Sequence, residues 1–427
     1  MKYRRSRKPD GACALVVDIA PYSAIPERDF HDWTNAVIKP DGKTLATWAM
    51  LFCSVVLISV LIHKMAPRGE PWTFVVEIPQ TPIRGDLDLR SEVITPAHEP
   101  DFVHGASLVA TPTGLLAFWY RAVYEGAANA ELVSSSFDGS RWSPTNVVTN
   151  SGRVSHDAGL TIKSLANPVP FRRSENEIWL FFSASRLSGW ATSEIMLMRS
   201  HDNGQTWGPA ERLYASPFSN ISHLTKSPPV LFSDGRIGLP AYQELNRKFP
   251  VMLVLNADGR VIDRRRMGPG GKVGIQPSIV VTGTSTAVAF IRRLEGSSVQ
   301  RVLVSRTSDG GQTWSPPVPT NLPNPNSAVS AIRYDASHIL LAFNDDPELR
   351  SDIKLAISDL EGIYWQRIGT LAVVNKDGPS DRVMYPYLIE SQPGQFDLVY
   401  SQQLKAIDHV RVSSAWVQHN LQTAPPQ

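Results

Sequence analysis

The chain has 427 residues, 42% hydrophobic and 19% charged, a balance that excludes a disordered chain and a coiled coil. A formal net charge of +2 gives no whole-chain electrostatic case for nucleic acid as a partner. Two cysteines, Cys13 and Cys53, exclude a disulfide scaffold and a cysteine-rich metal site, and 33 Pro with 28 Gly imply many turns and few long helices.

The first predicted element is the uncharged run Thr44–Ile62, TLATWAMLFCSVVLISVLI. At about 1.5 Å per residue it nearly spans a hydrocarbon core of about 30 Å, which predicts a transmembrane helix. Forty-three residues precede it and no small-residue cleavage motif follows, the pattern of an uncleaved signal anchor. Lys2, Arg4, Arg5, Arg7 and Lys8 place the N-terminus inside, because Lys39 and Lys43 on one flank nearly balance Lys64 and Arg68 on the other. The expected layout is a cytoplasmic tail over 1–43, an anchor over 44–62 and a linker and lead-in over 63–97, with the bulk of the chain periplasmic or extracellular.

Beyond residue 70 the runs are short: LLAFWY (115–120), EIWLFFSAS (177–185), IGLPAY (237–242), TAVAFI (286–291), HILLAF (338–343) and FDLVYS (396–401). Each is rich in β-branched or aromatic residues and bounded by turn formers, an all-β signature. Among them a motif recurs. Ser200-His-Asp202-Asn-Gly204-Gln-Thr206-Trp207 and Thr307-Ser-Asp309-Gly-Gly311-Gln-Thr313-Trp314 share one form; Ser136-Phe-Asp138-Gly-Ser-Arg-Trp142 is a residue shorter and Ser358–Trp365 is degenerate. Asp accepts turn N–H groups, Gly supplies positive φ and Trp packs beneath, the parts of a β-hairpin. The tryptophans are spaced by 65, 107 and 51 residues, with Asp258-Gly259 as a worn copy in the wide gap. A period near 50 over residues 98–412 predicts a six-bladed β-propeller, its last blade closed by strands from both chain ends, followed by a tail over 413–427.

The repeated motif is the Asp-box, and residues 100–412 resemble the sialidase-like superfamily. Between the boxes, Lys226-Ser-Pro-Pro-Val230, Asp234-Gly-Arg236, Leu-Pro240-Ala-Tyr242, Gln276-Pro-Ser278, Pro323-Asn-Pro-Asn-Ser327 and Tyr385-Pro386 are similar to bacterial sialidase-like glycosidases. The resemblance implies arginines on a substrate carboxylate, here Arg292 (with Arg293 as neighbour) and Arg350, and a tyrosine nucleophile in Tyr385-Pro-Tyr-Leu388. It also marks departures. His104 stands where the first arginine falls, Ile275 stands where the companion Glu falls, and the acid/base stretch reads Asn129-Ala-Glu131.

The residue chemistry agrees with an acidic oligosaccharide or polysaccharide as partner. A guanidinium fork donates two parallel hydrogen bonds to a carboxylate, so Arg292 and Arg350 are expected to bind it, with Lys226, Arg121 and Gln276 as further binding residues. Tyr385 is the expected nucleophile. His104, His156 (in Ser155-His-Asp157) and Glu244 are the candidates to replace the missing carboxylates, since an imidazole titrates near neutral pH. No metal-ligand spacing, phosphate loop or nucleotide fingerprint occurs, so no cofactor or metal is expected. Three functions compete: a membrane-anchored exo-acting glycoside hydrolase on an acidic glycan, a lyase on a uronate glycan, and a non-catalytic glycan-binding or envelope-assembly propeller.

Overall fold

The computed structural model describes residues 42–65 and 71–423, apart from 81, 83–84, 88, 96–101, 188, 217–219, 221, 246, 269–272 and 375–381. The chain divides into two units, Met1–Gly69 and Glu70–Gln427.

In the first unit Gly42–Met65 is an α-helix of 24 residues. Its described side chains run from Leu45 to Ile58, with Lys43, and all are exposed. Among the described residues no helix is long and apolar enough to cross a membrane. The basic N-terminal cluster lies outside the described residues.

In the second unit the strands form six antiparallel sheets in chain order, the six blades of a propeller. Blade 1 runs from Phe102 to Asn150, blade 2 from Ser164 to Arg212, blade 3 from His223 to Arg266, blade 4 from Ile275 to Pro323 and blade 5 from Ser330 to Val373. Blade 6 takes Val383–Gln392, Gln395–Gln402 and Ala406–Ser413 from the C-terminal end, and its outermost strand, Arg90–Val93, from the N-terminal end. The borrowed strand pairs along the edge of Ala406–Ser413, and blade 6 packs against blade 1 to close the ring. The segment expected as linker and lead-in thus supplies the strand from the N-terminal end. Upstream of that strand, Phe74 packs on Phe232 at 4.9 Å, and Trp72 and Phe74 donate their N–H groups to Asp309 O and Thr284 O. The expected C-terminal tail begins with a helix, Ser414–Thr423, that buries Trp416 and Val417.

The Asp-box residues hold turns. Asp202 accepts from the Thr206 N–H at 2.8 Å and Asp309 from the Thr313 N–H at 2.8 Å; Trp207 and Trp314 donate back to Gly204 O and Gly311 O. These turns join the third and fourth strands of their blades. The loops between second and third strands, and the starts of the inner strands, lie at the other end of each strand and so on the opposite face. The cores sit between blades, as where Val280, Phe290 and Val304 of blade 4 meet Leu341, Phe343 and Ala356 of blade 5.

Candidate functional site

The inner strands of four blades carry a bulge near their start, between His104 and Ser107, Ala166 and Val169, Ile275 and Ser278, and Met384 and Tyr387. A left-handed residue sits in each: Gly105 at φ +69°, Asn167 at +48°, Gln276 at +53° and Tyr385 at +60°, and Asn326 at +54° precedes the inner strand of blade 5. Non-glycine residues bear this conformation at a cost and cluster at functional sites. In three cases a Pro follows, Pro168, Pro277 and Pro386, which restricts the preceding backbone further. A bulge turns its side chain out of the alternation of the strand. Here Asn167, Gln276, Asn326 and Tyr385, from four different blades, join one hydrogen-bonded group.

Arg292 ties that group together. Its Nε donates to Asn326 Oδ1 at 2.9 Å, and its Nη1 donates to Gln276 Oε1 at 2.8 Å and to Tyr385 Oη at 3.2 Å. Arginine only donates, so the Gln276 oxygen must face it and the amide nitrogen must face away. That nitrogen donates to Tyr385 Oη at 2.9 Å and to Tyr242 Oη at 3.3 Å, and Tyr242 Oη accepts a second bond from Asn167 at 3.4 Å. The Tyr385 phenol oxygen thus receives two donors.

More basic groups surround the phenol. The His104 ring lies 4.2 Å from the Tyr385 ring, with Nδ1 at 2.9 Å from Ser401 Oγ, which also accepts from the Gly105 N–H. Burial, then the charges of Lys226, Arg350, Arg382 and Arg292, hold the imidazole well below its usual pKa, so it is neutral at pH 7. Lys226 is 3% exposed, its Nζ 5.6 Å from the Tyr385 ring centre and 3.5 Å from Pro386 O. Burial lowers its pKa to about 7. Arg350 donates to Asn326 O at 2.6 Å and contacts Met384 Sδ at 3.5 Å. Burial first, then Arg292 and Arg382, lower its pKa to about 10. Arginine, lysine and imidazole thus surround one phenol, and among the described residues no carboxylate forms an ion pair with Arg292, Arg350 or Lys226. An anionic ligand would relieve that repulsion.

Tyr385, Arg292, Arg350, Lys226, Gln276 and His104 therefore converge. Arg293 does not: it donates to the carbonyls of Asn324, Leu294 and Pro347. Three expected residues stand elsewhere. His156 lies on the helix Ser151–Ala158, which packs on the outer strands of blades 1 and 2, and its side chain is 90% exposed against Asp157. Arg121 is bound to Glu131 at 3.0 Å within blade 1. Glu244 pairs with Lys248 at 3.4 Å; its charge reaches Tyr242 but it makes no bond to Tyr385. The companion position expected at Ile275 is filled by its neighbour, because Ile275 packs with Leu224 and Tyr242 while Gln276 reaches the phenol.

Four residues were not singled out from sequence. Tyr242 and Asn326 lie inside quoted motifs, but only the fold shows that they share partners. Arg382 stands three residues before Tyr385; its charge acts on His104 and Arg350, and its buried Nε has no hydrogen-bond partner among the described residues. Glu125, in the blade 1 loop ahead of Asn129, accepts from Trp190 Nε1 at 3.2 Å, and its charge reaches Arg350.

A six-bladed propeller with this axial cluster belongs to the sialidase-like superfamily. Residues 113–398 match the BNR repeat-like domain, and the chain is a member of that family. Among solved structures it is similar to a protein of unknown function from Dyadobacter fermentans (16% identity, TM-score 0.60), covering 76% of this chain and 99% of that one. The Hadza microbial sialidase Hz136 gives 17% identity and TM-score 0.60 over 74% of this chain and 66% of its own. Trypanosoma rangeli sialidase gives 14% identity and TM-score 0.58 over 75% and 56%. At these identities the likeness concerns the fold. No curated protein matches the chain in sequence.

Proposed function

We propose that the protein is an exo-acting glycoside hydrolase of the sialidase-like type, working on a glycan that bears a carboxylate. One observation carries the reading: the Tyr385 phenol oxygen accepts from both Arg292 and Gln276 inside a cationic cluster whose Arg292, Arg350 and Lys226 form no ion pair with a described carboxylate. Arg292 and Arg350 hold the substrate carboxylate, and the Tyr385 oxygen, its proton passed to solvent, bonds to the anomeric carbon as the glycosidic C–O bond breaks. Donors aimed at the phenol oxygen stabilise charge that develops there. Glu125, whose charge acts on Arg350, is the carboxyl group proposed to protonate the leaving group.

Gln276 in place of a companion carboxylate, together with the neutral His104 at 4.2 Å, favours a second reading, a lyase on a uronate glycan. There the arginines neutralise the uronate carboxylate, and His104 or Tyr385 removes the proton beside it. The experiment is a panel of acidic glycans offered to the wild-type protein. Reducing sugar without ultraviolet gain supports the hydrolase. An absorbing unsaturated uronate supports the lyase. Tight binding without product leaves a glycan-binding propeller.

The same proposal includes a signal anchor at 44–62, N-terminus inside, with the propeller periplasmic or extracellular. The uncharged run and the exposed apolar side chains of Trp48, Leu51, Phe52, Val55 and Leu57 along the helix support it.

A further inference from the structure

We propose that the outer strand of blade 3, Val261–Arg266, is a docking edge for an acidic peptide segment of a partner protein, which pairs along it as a further strand and lays its side chains in the groove beside residues 214–216. The inference goes beyond the axial site and does not depend on its chemistry.

An open strand edge is a template for another chain, and folded proteins cover such edges. Here the helix Ser151–Ala158 packs on the outer strands of blades 1 and 2, and the helix Ser414–Thr423 on that of blade 5. In blade 4, Asn321 donates from its N–H to Ile363 O and from its side chain to Trp365 O. The outer strand of blade 6 is the four-residue Arg90–Val93. Val261–Arg266 has six residues and pairs only with Phe249–Leu255, and among the described residues no helix packs on it. The Arg264 N–H points away from that pairing, and the Asp263 carboxylate accepts it at 2.6 Å, where a peptide carbonyl would take its place.

Side chains alternate along a strand. Arg265 turns one way and lies over Trp72 at 5.0 Å. Ile262, Arg264 and Arg266 turn the other way, and Ile262 and Arg264 line a groove of about 460 Å³ shared with Tyr214. Ile262 is 55% exposed and Tyr214 63%, which makes one end of the groove apolar. The other end is basic and held in place: Arg266 lies over the Phe249 ring at 3.8 Å, and Arg264 donates to His223 Nε2 at 3.4 Å. Burial, then the charges of Arg247 and Arg264, lower the pKa of Arg266. The nearby carboxylates are taken, Asp263 by Arg265 and Glu244 by Lys248, and among the described residues none forms an ion pair with Arg247 or Arg264. Directly opposite side chains touch across an antiparallel pair. The matching segment therefore carries acidic residues opposite Arg266 and Arg264 and an apolar one opposite Ile262, each two apart. Main-chain bonds along the edge give affinity, and the alternate side chains give specificity.

The test is fluorescence anisotropy of the labelled peptide Thr-Glu-Thr-Glu-Thr-Leu-Thr titrated with the full chain. The parent peptide is expected to bind. N-methylation at both Glu residues, which removes the amide donors facing the strand and keeps the charges, should weaken binding at least about tenfold. Arg264→Glu, at an exposed position, should weaken the parent by a similar factor, and Arg264→Lys should keep most of the affinity. No binding of the parent would overturn the docking edge. Equal affinity of the N-methylated and parent peptides, or full displacement of the parent by polyglucuronate at equal charge, would replace strand pairing with a general anion-binding surface and overturn it as well.

Discussion

Arg292 and Tyr385, 93 residues apart in sequence, meet at 3.2 Å, and the same Nη1 also holds Gln276 at 2.8 Å. One guanidinium therefore sets both the amide orientation and the second donor to the phenol. Gln276→Leu removes the acceptor for Arg292 and one donor from each of two tyrosines. A lost buried bond to a charged group costs about 1.5–3 kcal/mol. Turnover on the active glycan should fall at least about tenfold. A variant with wild-type turnover would separate Gln276 from the chemistry.

Tyr385→Phe keeps the ring against His104 and Lys226 but removes the phenol oxygen. Turnover should be lost while ligand binding, measured by calorimetry, is largely retained. Arg350→Lys keeps the charge and loses the planar fork, so binding of the acidic ligand should weaken about tenfold or more. Unchanged affinity would remove Arg350 from the carboxylate site.

Lys226 makes a pH prediction. Its folded pKa, about 7, lies below the ordinary 10.5. Between those values the unfolded chain binds a proton that the folded chain does not, so this residue makes stability rise with pH across that window. Below pH 7 both states are protonated and the cost of the buried charge is fully present. Lys226→Met should raise the free energy of unfolding most at pH 7 and below, by on the order of 5 kcal/mol, and flatten the slope between pH 7 and 10. A parallel pair of stability–pH curves would contradict this.

A reporter fused at the C-terminus tests the anchor. It should be active only outside the cytoplasm, and cytoplasmic activity would refute the orientation.

What was legible in the sequence follows the range of the interactions. The Asp-box turns use contacts within eight residues, so Asp202, Thr206 and Trp207 announced their hairpin directly, and the spacing of the boxes gave the blade number. Arg292, Arg350 and Tyr385 were legible through motif resemblance. The resemblance could not show that Gln276, rather than the residue before it, faces the phenol, because a bulge and a left-handed backbone decide that. Ser155-His156-Asp157 misled for a local reason. On a helix adjacent residues point about 100° apart, so Asp157 faces inward to the Ala210 N–H while His156 faces water. Arg382 and Glu125 left no motif; only the ring arrangement brings their charges to Arg350.

The borrowed strand of blade 6 has a consequence for the birth of the protein. Glu92 and His409, in contact across that pairing, are separated by 317 residues. The strand made first waits on the ribosome for the strand made nearly last. Until then the strand Arg90–Val93 lacks its partner and stays a template for a neighbouring chain. Loop closure over such a length costs little more than over half of it, so the delay, rather than the entropy, is the hazard. Nascent chains stalled before residue 406 should therefore be the aggregation-prone species, and the finished chain should lock shut in a single late step.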